Sequence, residues 1–245
     1  MKHDENRPQR PHLSIVVPVH NEEDVLQAAV ADIVEQLDAR GADFELILCQ
    51  NGSTDRTQEL ADSLAEADPR VRVLHLTEPD YGAAMRAGMV AARGDSATNF
   101  DIDFYDADFL LRGDRLMDGY GIVVGSKIME GAQDKRSLFR KLVSRVFTLT
   151  LRLLFDPNLD DTHGMKVVRK DVIERYLPRT VMTKDLFDTE LVLRARRGGV
   201  AVRAVPVVVE EKRRPRLSIV RRIPRSIKGI LRLRLLFWKE RLLGS

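Results

Sequence analysis

Short apolar runs rich in β-branched residues alternate with segments of helical periodicity through the first hundred residues, and that alternation constrains the chain more than any other feature. Residues 13–19 (LSIVVPV), 44–49 (FELILC) and 71–76 (VRVLHL) read as strands buried inside a sheet, with 97–103 as a fourth strand and its exit. Asn21 is placed to cap a helix carrying Glu22, Glu23 and Asp24 in its first turn, running to about Arg40 and stopping at Gly41. Thr54 or Asp55 opens a second helix that lasts to about Ala67, and 83–93 (AAMRAGMVAAR) is a third, built from small residues. Units of this kind connect through right-handed crossovers, so the expected fold is α/β with a mostly parallel sheet covered on both faces.

Ligands of such sheets bind beyond the carboxyl ends of the strands. That rule selects the loops 18–23, 50–55, 77–83 and 101–106, all polar or acidic. Neither GxGxxG nor GxxxxGK[ST] stands at the first turn, so a nucleotide must be held by other means. Asp101-Ile102-Asp103 sets two carboxylates one residue apart on a turning backbone. Such a pair suits a hard divalent cation that keeps open positions for diphosphate oxygens. Asp106-Ala107-Asp108 reads instead as the capped first turn of the next helix.

Further on, 121–126 is a strand, 135–155 a long amphipathic helix, 164–169 a short strand, 186–197 a helix closed by Gly198-Gly199, and 200–209 a strand. The 245 residues fit one large domain with an appendage: a disordered leader over 1–11, a domain over 12–215 and a tail over 216–245. The lone Cys49, read as a core residue, excludes a disulfide framework and a multi-Cys zinc site. A polar N-terminus without a signal-peptide core, and no run of roughly 18 apolar residues, set a cytoplasmic, non-spanning expectation.

Charge is unevenly placed. Twelve of the 40 Lys and Arg but one of the 37 Asp and Glu fall between Lys212 and Arg241, so that segment carries +11 and the rest of the chain −8. A nucleic-acid arm needs aromatics or a known fold for base contact, and the tail has only Phe237 and Trp238, so no nucleic-acid partner is expected. Leu, Ile, Phe and Trp interleaved with Arg fit an amphipathic helix on an anionic membrane surface, broken into segments by Pro224. Residues 138–155 add a second apolar surface, with a core or homodimer helix as the plain alternative.

The ordered set PVHNEE (18–23), NGSTD (51–55), DYGAAMRAG (80–88), ARGD (92–95) and DID (101–103) resembles family 2 glycosyltransferases of GT-A fold. VVGSK (123–127), DTHGMK (161–166), FDTEL (187–191) and AVPV (204–207) are similar to the dolichol-phosphate (polyprenyl-phosphate) mannose and glucose synthases within that family. The resemblance implies a Rossmann-like three-layer α/β/α domain. It implies inverting transfer of a sugar from a GDP- or UDP-linked donor to a polyprenyl phosphate, with Mg2+ or Mn2+, at the inner face of the cell membrane. By position, Pro18, Val19, His20 and Glu22 would line the nucleotide pocket, Gln50 and Asn51 would meet the base, and Asp101 and Asp103 would hold the metal.

A lipid phosphate is already an anionic nucleophile, so the acceptor needs orienting cations more than a base. Lys127, Arg136, Lys166 and the 212–216 group, with Arg213 and Arg216, are the candidates. A sugar hydroxyl would need a base, for which Asp188 or Asp185 stands ready. A third reading is a catalytically reduced scaffold that binds nucleotide sugar or membrane without turnover. Beside these stand plainer assignments: Gly52 and Gly82 as turn residues, His20 and His163 as ordinary loop or core residues, and Glu190 as a surface acid paired with Arg194.

Overall fold

The computed structural model describes residues 11–162, 164–183, 186–209 and 219–243. Strands β1 (Leu13–Val19), β2 (Phe44–Asn51), β3 (Val71–Leu76) and β4 (Ser96–Asn99) alternate with helices α1 (Leu26–Asp38), α2 (Thr57–Ala67) and α3 (Tyr81–Ala91). Then follow α4 (Ala107–Asp114), β5 (Ile122–Ser126), β6 (Gln133–Asp134), α5 (Leu138–Leu154), β7 (Lys166–Arg169), α6 (Lys170–Tyr176), α7 (Phe187–Arg197), β8 (Val202–Pro206), β9 (Val208–Val209) and α8 (Ile219–Leu243). One seven-stranded sheet runs β3-β2-β1-β4-β7-β5-β8, and β6 pairs with β9 apart from it. Only β7 runs against its neighbours, antiparallel to both β4 and β5.

The pleat of β1 explains the two layers. Leu13, Ile15, Val17 and Val19 join a core with α1, α2 and α4, whereas Val16 faces a second core with α3, α5, α6, α7 and α8. Helix α3 is made of small residues because it lies close on the sheet. A Cβ on Gly88 would stand 2.2 Å from Val16 Cγ1 and 2.7 Å from Cys49 Sγ. Cys49 is buried as expected, and burial pushes its thiol up to about 12.

Four local expectations change. Asn21 does not cap α1, which starts four residues later than Glu22. Its backbone is left-handed (φ 55°), and its Oδ1 accepts from the Thr54 backbone N–H at 2.8 Å, tying two loops together. Asp80 caps α3 by accepting from the Ala83 N–H, which draws Gly82 into the helix rather than a turn. The 200–209 strand is two strands, because Val207 turns its side chain into the core after Pro206, which has no N–H to donate. Helix α8 continues through Pro224, in its second turn, so the ring removes one backbone donor inside the helix without ending it; the core contacts of Ile230, Leu233 and Phe237 hold the part beyond. Asp106 caps α4 as expected, accepting from the Phe109 N–H at 2.8 Å, and Asp108 pairs with Arg40.

Helix α8 is held against the domain by one face. Ile230, Leu233 and Phe237 are buried in the α3-side core, and the Phe155 and Phe237 rings meet edge-on at 5.9 Å. A Cβ on Gly229 would stand 2.6 Å from Leu186 Cδ1, so the helix lies directly on the segment entering α7. Glu240 forms an ion pair with Arg194 at 2.8 Å. Arg194 also binds Glu190, which is fully buried and accepts from the Val181 and Met182 N–H groups. Glu190 is therefore an interior anchor of α7 rather than a surface acid.

Candidate functional site

Parallel pairing brings the carboxyl ends of β1, β2 and β4 to one edge, with Val19 opposite Gln50. Val19, Gln50 and Asn51 are buried, while Pro18, His20 and Glu22 keep part of their surface. The Asn51 amide donates to the Val19 carbonyl at 3.0 Å, and His20 Nδ1 lies 2.8 Å from the Asn51 carbonyl. These contacts lock the ends of β1 and β2 together, so the Asn51 amide is committed to the fold. Gly52 makes the next turn at φ 64°, where a Cβ would meet the 77–79 backbone at 2.9–3.0 Å. Thr57 Oγ1 accepts from the Glu22 N–H at 2.7 Å, closing the rim.

At the exit of β4 the chain makes a tight reversal. The Asp101 and Phe104 backbones exchange hydrogen bonds at 3.0 and 2.9 Å, and Ile102 is buried between the two acids as a peg. Asp101 and Asp103 thus share one turn. The Asp101 carboxyl is pushed up to about 6, first by burial and then by the negative charges of Asp103 and Asp188; Lys166 and Lys127 oppose the shift. The Tyr81 hydroxyl lies 3.5 Å from Asp101 Oδ1, and burial followed by the charges of Asp101 and Asp188 holds its pKa well above the usual value.

Asp188 comes from the first turn of α7, distant in sequence, and is 7% exposed. Its Oδ1 sits 3.0 Å from the Lys166 ammonium. Lys166 is fully buried on β7, with its Nζ 2.7 Å from the Gly164 carbonyl and 3.3 Å from Asn99 Oδ1. Lys166, expected at the acceptor phosphate, has its charge inside the protein, between β4, β7 and α7. The Arg136 guanidinium, another expected acceptor contact, makes a bidentate contact with Asp134 and reaches Ser144. Lys127 stands 3.5 Å from Asp161 at the end of β5. Arg213, Arg216, His163 and Asp185 lie outside the described residues.

Among the described residues no three of His, Cys, Asp and Glu converge tightly enough to hold a metal ion alone. The couple fits a cation that takes its remaining ligands from a diphosphate, as Mg2+ does with one or two carboxylates. The donor set supports that fit: hard carboxylate oxygens that repel one another, beside a buried Asp188 Oδ1 lacking an aligned hydrogen bond. Sequence reasoning missed Tyr81 and Asn99 as members of this cluster. The Tyr after Asp80 was the available signal.

A mostly parallel sheet between helical layers, with a carboxylate couple at the exit of its fourth strand, defines the class of GT-A glycosyltransferases. The profile of glycosyl transferase family 2 matches residues 14–177, and the chain belongs to that family. It is 32% identical over 227 residues to the glycosyltransferase AglD of Haloferax volcanii, covering 90% of this chain and 36% of that one. It is 27% identical to the dolichyl-phosphate beta-glucosyltransferase of Dictyostelium discoideum, covering 80% of this chain and 65% of that one. The chain thus spans about a third to two thirds of these curated relatives. Glucosyl-3-phosphoglycerate synthase from Mycobacterium tuberculosis, crystallised with Mn2+, UDP and phosphoglyceric acid, shares the fold at a TM-score of 0.67 and 21% identity, over 91% of this chain and 78% of that one.

Proposed function

We propose that this glycosyltransferase moves a sugar, with inversion, from a GDP- or UDP-linked donor to a polyprenyl phosphate, working peripherally on the cytoplasmic face of a membrane. The observation that carries the reading is the gathering of Asp101, Asp103 and Asp188 at the strand exits, where a donor diphosphate would lie. Relatives named dolichyl-phosphate beta-glucosyltransferase support the acceptor class, and UDP with Mn2+ in the mycobacterial structure supports the donor and Mg2+ or Mn2+. Among the described residues no helix is long and apolar enough to cross a membrane, which accords with peripheral attachment.

Asp101 and Asp103 would hold the cation, which supplies charge neutralisation for the departing diphosphate. The loops at Pro18–Glu22 and Gln50–Gly52 would receive the nucleoside, with the buried Asn51 shaping the floor. Lys166 holds Asp188 from behind and offsets part of the carboxylate repulsion. Lys127 and Arg136, each partly exposed beside a carboxylate, are the described candidates for the acceptor phosphate, with Arg213 and Arg216 proposed beyond them.

In a second reading the acceptor is a hydroxyl, and Asp188, within electrostatic reach of Asp101, would serve as its base. Incubation of radiolabelled UDP- or GDP-sugar with polyprenyl phosphate decides between the two. Label entering the organic phase, with Asp188→Asn retaining measurable turnover, supports the lipid reading. Label confined to water-soluble product, abolished by Asp188→Asn, supports the hydroxyl reading. Donor binding without transfer to any acceptor overturns both.

A further inference from the structure

Helices α5 and α8 each carry a second apolar stripe that the fold does not use. On α5 it is Leu138, Leu142, Val146, Leu149 and Leu153; on α8 it is Ile227, Leu231, Leu235, Trp238 and Leu242. All ten are more than half exposed, and the spacing (4, 4, 3, 4) is the same on both helices, one helical face over four turns. The opposite faces of the two helices enter one and the same core, through Leu151 on α5 and through Ile230, Leu233 and Phe237 on α8. The Phe155–Phe237 contact fastens the helices side by side. Both stripes therefore point away from the core that the two helices share.

Charge selects what covers these stripes. Residues 138–154 contain no acid, and Lys141, Arg145 and Arg152 flank their stripe. On α8 six exposed cations, Arg225, Lys228, Arg232, Arg234, Lys239 and Arg241, border the other stripe. The single acid, Glu240, is engaged with Arg194. A second copy of the chain would bring two such cationic faces together. An anionic bilayer matches both features, taking the apolar stripe below the headgroups and the cations among them.

We infer that α5 and α8 form one rigid docking face for the surface of an anionic lipid bilayer. The face adjoins the site, because α8 rests at Gly229 on Leu186, two residues before Asp188. The inference deepens the lipid-acceptor reading and rests on it for its purpose, but not for its test. Vesicles without any polyprenyl phosphate are used, so loss of binding and loss of transfer are seen separately.

Trp238 is the only tryptophan of the chain and lies on the α8 stripe, 55% exposed, so the intact protein carries its own probe. Titration with phosphatidylcholine vesicles containing phosphatidylglycerol should shift its emission to the blue and sediment the protein; phosphatidylcholine alone should do so at least about tenfold more weakly. Leu142→Asp with Leu149→Asp on α5, or Leu231→Asp with Leu235→Asp on α8, should each weaken partitioning about tenfold or more while the thermal midpoint stays unchanged. Loss on α5 substitution is the sharper result, because it reaches a helix without the tryptophan. Unchanged emission and no sedimentation with anionic vesicles would overturn the inference. So would a concentration-dependent blue shift without lipid, accompanied by a dimer in sedimentation velocity that Leu231→Asp abolishes.

Discussion

Replacing Lys166 by Met separates an internal counter-charge from an acceptor contact. The ammonium is fully buried, 3.0 Å from Asp188 Oδ1, and two further oxygens, Gly164 O and Asn99 Oδ1, lie within 3.3 Å. Met preserves the length of the side chain and deletes the charge. Removing one member of a buried pair costs about 3–5 kcal/mol, because the other is left uncompensated. Here the neighbouring charges of Asp101 and Asp103 aggravate the loss. For a chain of this size 1 kcal/mol moves the midpoint by about 2–4 °C, so Lys166→Met should melt about 6–20 °C below the parent. Scanning the circular dichroism of both proteins in EDTA measures this directly. Adding Asp188→Asn to Lys166→Met removes the orphaned charge and should restore stability, giving a coupling of about 0.5–3 kcal/mol in the double-mutant cycle. A midpoint within about 2 °C of the parent, combined with a raised KM for the lipid acceptor, would refute the argument and return Lys166 to the acceptor site.

Three other outcomes are expected. Asp103→Ala should reduce divalent-dependent turnover at least about a hundredfold while changing the thermal midpoint little, because Asp103 is partly exposed; unchanged kcat at saturating Mn2+ would count against the metal assignment. Arg194→Met strands the fully buried Glu190 and unclamps Glu240, so it should cost about 3–5 kcal/mol, whereas Glu240→Gln should cost about 1 kcal/mol; equal losses in urea melts would contradict the network. His12 bridges Asp114 at 2.9 Å and Asp95 at 3.3 Å, and the Asp114 hydrogen bond foremost raises its pKa above 6.5. Its contribution is therefore complete below pH 6.5 and fades as pH rises through the folded-state value, so His12→Ala should lower the midpoint more in acid than in alkali; a pH-independent difference would argue against it.

The half of the fold built from local signals was legible in the sequence. The runs at 13–19, 44–49 and 71–76 became β1, β2 and β3 with shifts of at most two residues, because a continuous β-branched run has few other ways to be buried. Asp106 as a cap, Gly41 as a stop and Asp101 with Asp103 as the couple at a strand exit are likewise short-range facts. What failed had long-range causes. Asn21 looked like a cap because the Thr54 amide that claims it is 33 residues away. Pro224 looked like a break because local rules carry no knowledge of the core that holds Ile230 and Phe237.

The sequence by itself determined the class of sheet, the loops at the carboxyl ends of its strands and the acids that stand there, since each follows from residue type and spacing along one segment. Only the tertiary structure decided how the cations are used. Lys166 and Arg136 carry no mark in the sequence to show that each already has a carboxylate partner, 22 residues away on α7 for the one and two residues away for the other. Which face of an amphipathic helix remains uncovered was decided there as well. Charge pairing and burial depend on distance in space, and a linear order of residues does not contain it.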